Sequence, residues 1–506
     1  KLEEDGYVIQ TRNRRLIIAG GAEKGTLYGV YGLLENHLGC RKYTSKVAHI
    51  PRLNSITVQD ISDEEIPVFK YREVYYRDAF NQSYQEWHGI DSHGYLGTES
   101  DWGSWCHTMG SLVPPEKFAA SNPEFYSMRK GKRTGHIFHE NRSDVCFSNE
   151  DVVDVVSESL AKFIEKNPDP NYWSVSQMDN AEYCTCPACQ KAYDEQGSPM
   201  GTILPFVNEV ARRFPDKTIS TLSYWYSTRP PKDIRPEKNV NIMLCNIGSP
   251  RHIPIEQGDS AFSSDLEAWA RIHDNIILWD YVIQFANLLA PFPNLRTLQP
   301  NLQYLNQNGV VAMFEQANRD AGGEFSELKA YLLSKLLWDP YQDVDPIIDD
   351  FLNGYYGAAG KYIREYIDTM HDALEENGGT LNIFGSPWDN RETFLTGELI
   401  ETYYDLFEKG MEAVADDPDL VFRVRTVKNQ IDYAVLDIAK REVDGPRGAV
   451  MMEEDKRVVR PEIEETLAEF LNVCELHGVT RVHEWHTPPR EYAQKYREFI
   501  KENTDL

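Results

Sequence analysis

The sequence predicts an α/β chain: a (β/α)8 TIM-like barrel over residues 64–340, a small α/β domain before it (1–63) and a helical domain after it (341–506). Three observations lead there. From Val68 onward, strand-length apolar runs alternate with helix-length amphipathic runs. Ahead of them, two short alternating runs meet at a turn. Beyond Pro340 the periodicity is helical and no strand pattern survives. A chain of 506 residues has room for two or three domains.

The elements follow in order. Residues 7–11 and 15–19 alternate as two strands around a turn at 12–14, and Gly20-Gly21 breaks the second. Leu27, Val30, Tyr31, Leu34 and Leu38 then recur at helical spacing up to Gly39. Ile56 and Val58 suggest a last strand in this unit. Barrel strands are expected at 69–76, 145–148, 172–177, 218–224, 240–245, 275–281 and 310–315, and helices at 150–166, 199–214, 263–273, 296–308 and 326–338. The eighth strand is sought in the Gly/Ser/His-rich stretch 87–110. Amphipathic helices at 345–355, 360–376, 396–415, 418–443, 460–477 and 489–502 complete the chain.

Composition narrows the function. Net charge is −28, and nucleic acid carries the same sign, so binding it would need a basic patch that the sequence lacks. The 28 Tyr, 21 Phe and 10 Trp suit the apolar faces of sugars, and equally a large core. No run of 18 apolar residues occurs, so no membrane span is expected, and no signal peptide is visible. The first residues read as the approach to a strand, which suggests a mature or trimmed start. No cofactor is implied, and the oligomeric state is left open. Eight cysteines, five of them scattered, do not form a disulfide framework.

The most informative run is 173–189, Trp-Ser-Val-Ser-Gln-Met-Asp-Asn-Ala-Glu-Tyr-Cys-Thr-Cys-Pro-Ala-Cys. A strand ends there in Asp179-Asn180, and barrel enzymes carry their chemistry on the loops after strand C-termini. Other strands end in Arg77-Asp78, Tyr224-Trp225, Cys245-Asn246, Trp279-Asp280-Tyr281 and Glu315-Gln316. Plainer readings exist: Asp179 as a helix N-cap, Asp280 as a salt-bridged structural carboxylate, His107 as a packing or hydrogen-bonding residue. Alternation along the first strand points Arg72 into the barrel, to pair with Asp78 or Glu315 or to grip substrate hydroxyls. Cys184, Cys186 and Cys189 have thiolate-ligand spacing for a structural metal, with a fourth ligand from Cys146, Cys106 or His107. A redox pair at Cys186 and Cys189, or plain packing of three thiols, fits the same spacing.

Further runs carry a family resemblance: Ser176-Gln-Met-Asp179-Asn180 with the cysteines, Asn239-Val-Asn-Ile, Leu278-Trp-Asp-Tyr281, Phe314-Glu315-Gln316, Lys335-Leu-Leu-Trp-Asp-Pro340 and 114–126. With them, residues 68–376 resemble glycoside hydrolase family 163, first catalogued as domain of unknown function 4838. Residues 1–63 look like the small domain preceding the barrel in family 20 hexosaminidases and α-glucuronidases. The resemblance implies an endo-β-N-acetylglucosaminidase acting on complex N-glycans. It also implies secretion by a glycan-degrading gut bacterium, to the periplasm or cell surface. An exo-acting hexosaminidase or glucuronidase, or a glycan-binding protein without catalysis, are the alternatives.

Pro67-Val-Phe-Lys-Tyr-Arg72 also resembles the first barrel strand of family 20 hexosaminidases, where the Arg holds sugar hydroxyls. Those enzymes close the fourth strand with an Asp-Glu pair, and this chain has Asp179-Asn180 there. The resemblance thus keeps Asp179 as the group orienting the substrate acetamido, with Asn180 beside it, and opens the identity of the acid among Glu315, Glu182 and Asp280. Hydrolysis needs a protonated carboxyl at the leaving oxygen, and an N-acetyl sugar can supply its own nucleophile. The expected assignment is Asp179 and Glu315 as catalytic pair, Trp279 and Tyr281 as walls, and Arg72, His107, Asn180 and Asp280 as substrate contacts.

Overall fold

The computed structural model describes residues 2–58, 60–135 and 144–505. The N-terminal unit is a three-stranded antiparallel sheet of β1 (Tyr7–Arg12), β2 (Arg15–Gly20) and β3 (Ser62–Glu65), with helix α1 (Gly25–Gly32) packed on it. The third strand is the polar run Ser-Asp-Glu-Glu, not 56–58. Ile56 and Val58 are exposed outside any strand. An edge strand is specified by its backbone pairing to β1, which apolar patterning does not report.

The central sheet has seven parallel strands among the described residues. They are β4 (Tyr71–Val74), β5 (Trp102–Ser104), β6 (Tyr172–Ser174), β7 (Thr218–Ser223), β8 (Val240–Cys245), β9 (Ile276–Tyr281) and β10 (Val310–Gln316). Their order is β4-β10-β9-β8-β7-β6-β5, a curled half-barrel. Between the two edges, the Asp91 backbone N–H donates to the Arg72 carbonyl at 2.8 Å. The Tyr71 and Trp102 rings meet across the same gap, centroids 6.1 Å apart. The missing strand is thus β5, within 87–110, while 145–148 is not a strand. Val145 makes only an isolated bridge with Tyr126, and Val145 and Phe147 are buried as loop residues. A short apolar run does not by itself separate strand from buried loop.

Helices α2 (Glu150–Lys166), α3 (Pro187–Gln196), α4 (Met200–Arg213), α5 (Ser260–Ala270), α6 (Leu295–Gln307) and α7 (Ser326–Trp338) cover the outer face. Asn149 caps α2 by accepting the Asp151 N–H at 3.0 Å, a contact worth about 1 kcal/mol. Outward residues Ile219, Ile242, Leu244, Ile276, Leu278 and Met313 form one core with these helices. Inward residues Leu222, Tyr224, Met243, Cys245, Ile277 and Tyr281 form another inside the curl.

Helices α8 (Val344–Tyr356), α9 (Gly360–Glu376), α10 (Gly397–Ala413), α11 (Pro418–Glu442), α12 (Pro461–His477) and α13 (Pro489–Asn503) follow. One hairpin interrupts them, β11 (Val450–Glu453) with β12 (Lys456–Val459). Its turn residues Glu454 and Asp455 both have positive φ, 47° and 68°, as a tight two-residue hairpin requires. Four residues a side are too few to stand out as alternation. Among the described residues no helix is long and apolar enough to cross a membrane.

Candidate active site

The C-terminal strand ends surround a cleft of about 320 Å3, lined by His107, Asp179, Tyr224, Cys245, Trp279, Tyr281 and Gln316. Phe384, Glu484 and Trp485 close it from loops beyond α9 and α12. Small-molecule sites span roughly 300–1,000 Å3, so this is a ligand-sized space. A cavity of about 470 Å3 near α1 and α7 is larger. Its two cations are paired, Lys335 with Glu35 and Arg41 with Asp350, and it lies away from the strand ends.

Asp179 follows β6 on a loop held from behind. The Met178 N–H donates to Asp144 Oδ1 at 2.8 Å, and the Ser176 N–H to Thr108 Oγ1 at 3.1 Å. The Asp179 carboxylate stays exposed and accepts the Tyr224 hydroxyl at 3.0 Å. Burial and the Asp179 charge both push the Tyr224 phenol up, so it remains a donor. A ring of bonds fixes Tyr224. Its N–H donates to Ser227 Oγ (3.0 Å), Ser227 Oγ to Gln177 Oε1 (2.5 Å), and Gln177 Nε2 back to the Tyr224 carbonyl (3.1 Å). His107 has φ +52°, a left-handed conformation uncommon outside glycine. Its Nδ1 lies 2.8 Å from the Gln177 carbonyl and so carries a proton, which leaves Nε2 an acceptor in the neutral ring. Trp279 is braced by its indole N–H on Gln316 Oε1 at 2.6 Å.

Strand register separates the expected residues. Trp279 pairs with Phe314, Asp280 with Glu315 and Tyr281 with Gln316. Trp279, Tyr281 and Gln316 line the cleft, so Asp280 and Glu315 leave the opposite face of the sheet. There Arg251 Nη1 lies 3.3 Å from Asp280 Oδ1. Neither Glu315 nor Asp280 therefore lines the cleft, and Asp280 is salt-bridged to Arg251. Glu315 is 1% exposed, one oxygen has no hydrogen-bond partner, and burial plus the Asp280 charge push its carboxyl well up. A folded-state pKa above the unfolded one makes stability fall as pH rises past about 4.3. Glu315→Gln is expected to remove that slope. Thermal melts between pH 4 and 8 should show the variant gaining on the wild type as pH rises, and parallel curves would contradict the burial.

Arg72 is corrected in the same way. It pairs with Met313, and Glu73 with Phe314, so Arg72 lies on the outer face while Tyr71 and Glu73 point inward. Its guanidinium donates to the Gly89 carbonyl (2.5 Å), the Phe69 carbonyl (2.7 Å) and Asp5 Oδ2 (2.7 Å), and it lies over the Trp338 ring. It binds neither Asp78 nor Glu315 nor the cleft. Asn180 also turns away. Its Nδ2 donates to Asp144 Oδ2 at 2.9 Å, and its Oδ1 accepts Arg129 Nη2 at 2.7 Å. Glu182 is exposed and pairs with Arg129 at 3.5 Å, outside the cleft lining.

Several site residues escaped the sequence reading. Glu484 is the second carboxylate on the wall, flanked by Arg481 and Arg319 at 3.4 Å each. Phe384 and Trp485 stand at the mouth, 49% and 61% exposed, which leaves their rings free to meet a ligand. Inside the curl, buried Glu73 accepts the Tyr71 hydroxyl and lies 2.6 Å from His93 Nδ1. The His93 ring stacks on Trp105 at 4.4 Å. The alternation of Tyr71, Arg72 and Glu73 was the available signal, read one residue out of step. Cys184, Cys186 and Cys189 do come together, joined by Cys146.

The family described as Domain of unknown function (DUF4838) matches residues 42–368. No curated protein sequence matches. Among solved structures, similarity is found to a family 89 glycoside hydrolase from Clostridium perfringens in complex with its substrate GlcNAc-alpha-1,4-galactose. The TM-score is 0.51 and identity 11%, over 94% of this chain and 62% of that one. The family 89 enzyme from the same organism in complex with PUGNAc gives 0.49 and 11%, over 93% and 61%. A GH138 enzyme targeting pectin rhamnogalacturonan II gives 0.40 and 10%, over 99% and 68%. The chain thus spans about 62% of the first enzyme's length, and at 11% identity the likeness is one of fold.

Proposed function

The chain belongs to the family described as Domain of unknown function (DUF4838), and from that premise we propose that it is a glycoside hydrolase acting on N-acetyl sugars. The observation that carries this is a pair of carboxylates, Asp179 and Glu484, facing an aromatic-walled cleft at the strand C-termini. Phe384, Trp279 and Trp485 offer apolar faces to pyranose rings. The finer reading is an endo-β-N-acetylglucosaminidase on complex N-glycans, secreted to the periplasm or cell surface. Its support is the sequence resemblance. In this reading residues 64–340 supply Asp179 and the strand-end walls, 341–506 complete the cleft with Phe384, Glu484 and Trp485, and 1–63 flank it.

The mechanism needs two roles. The substrate acetamido oxygen attacks its own anomeric carbon, and a carboxylate must orient that group and balance the charge it develops. Asp179 takes this role, with the Tyr224 hydroxyl bonded beside it. The leaving oxygen needs a proton, and Glu484 is the second wall carboxyl. His107 Nε2 and Gln316 are placed to receive sugar hydroxyls.

The roles are separable by leaving group. Glu484→Gln should lose about 100-fold or more in kcat on a glycan, as for a missing general acid. On an aryl glycoside whose phenol leaves unaided, the loss should stay within about 10-fold. Equal losses on both would remove Glu484 from the acid role. Glu315→Gln should keep kcat/KM within about three-fold, because glutamine matches the neutral carboxyl; a loss above 100-fold would put Glu315 in contact with substrate after all.

A further inference from the structure

We infer that Cys146, Cys184, Cys186 and Cys189 bind one structural zinc ion. Their sulfurs all lie within 4.8 Å of one another. Cys146 Sγ is 3.7 Å from Cys184 Sγ, 3.7 Å from Cys186 Sγ and 3.9 Å from Cys189 Sγ. Zn–S bonds of about 2.3 Å in a tetrahedron put the sulfurs about 3.8 Å apart. All four are free thiols and all are buried. Four unbonded thiols at this spacing, from two segments 38 to 43 positions apart, are what a tetrathiolate metal site requires.

The surroundings favour thiolates. The Met128 N–H points at Cys184 Sγ (3.2 Å), and Ser148 Oγ lies 3.2 Å from Cys189 Sγ and 3.4 Å from Cys146 Sγ. Cys186 is the N-cap of α3, ten residues long, and Cys189 lies in its first turn. Both thus sit at the positive end of that helix. Four protein ligands leave no open position, so the ion braces and does not catalyse. What it braces is the loop bearing Asp179. Asp144, two residues before Cys146, holds the Met178 N–H and the Asn180 amide, and Arg129 beside Met128 holds Asn180 from the other side. That consequence rests on the glycosidase reading, whereas zinc binding does not.

Metal content tests it on the whole purified chain, produced with zinc and desalted without chelator. Elemental mass spectrometry should find about one zinc per chain. Titration with a mercurial, followed by a zinc-responsive dye, should release it in step with four thiols. Because Cys186→Ser can fail to fold, protein produced with cobalt gives a second readout: the visible bands and thiolate charge-transfer of tetrahedral cobalt. Less than a tenth of an equivalent of zinc, iron in its place, or disulfides among the four would overturn the inference. A protein with one zinc and no glycosidase activity would keep this inference and end the functional one.

Discussion

Asp179→Asn is expected to lower kcat on an N-acetylglucosamine-containing glycan about 1,000-fold with KM nearly unchanged. Removing one preorganised electrostatic partner of a developing charge typically costs this much. The substitution is nearly isosteric and the group is exposed on its loop, accepting one hydrogen bond from Tyr224. The fold should survive, since Met178 and Asn180 on either side remain tied to Asp144. The loss should be as large on an aryl glycoside, because the acetamido must displace the leaving group in the same step whichever group departs. Glu484→Gln should differ on this point. A variant that binds weakly but turns over normally would make Asp179 a binding group only.

The second large effect is on stability. Arg72→Leu should destabilise the protein by about 3–5 kcal/mol, the usual cost of removing one partner of a buried ion pair. Arg72 is fully buried, 2.7 Å from Asp5 and 3.8 Å from Asp91. Burial already pushes the Asp91 carboxyl up to about 6 while Arg72 pulls it down. Without the guanidinium, Asp91 protonates higher still, so the loss should be worse at pH 8 than at pH 5. Denaturant melts at both pH values would show it. Activity per folded molecule should stay within about two-fold, because Arg72 is on the outer face of the sheet. A raised KM with normal stability would return Arg72 to the substrate site.

How far the sequence carried depended on how strongly each element was patterned. The strands β8 to β10 are mostly buried on both faces and stand out as largely apolar runs, β7 is a buried Thr/Ser-rich strand with only Ile219 and Leu222 apolar, and β5 is three residues with a glycine and has no pattern to find. Asp179, Trp279, Tyr281 and His107 were legible as cleft-side residues because strand ends in such sheets face one opening. Arg72 was misplaced by one step of alternation, and a one-residue slip reverses every side chain. Glu315 and Asp280 were placed by strand-end position alone, which does not say which face a side chain leaves. In β10 the register to β9 also shifts near Val311, between the Ile276–Val310 and Ile277–Ala312 pairs, so simple alternation from the strand start would not give the face of Glu315. Glu484, Trp485 and Phe384 join the cleft from loops far along the chain, and only tertiary packing brings them there.

Mass spectrometry of the products from one defined biantennary N-glycan is the most direct measurement of the central claim. The proposed activity should release a disaccharide ending in N-acetylglucosamine from the wild-type protein and leave the glycan intact with Asp179→Asn. Single sugars released from the non-reducing end, or an unchanged glycan with the wild type, would contradict it.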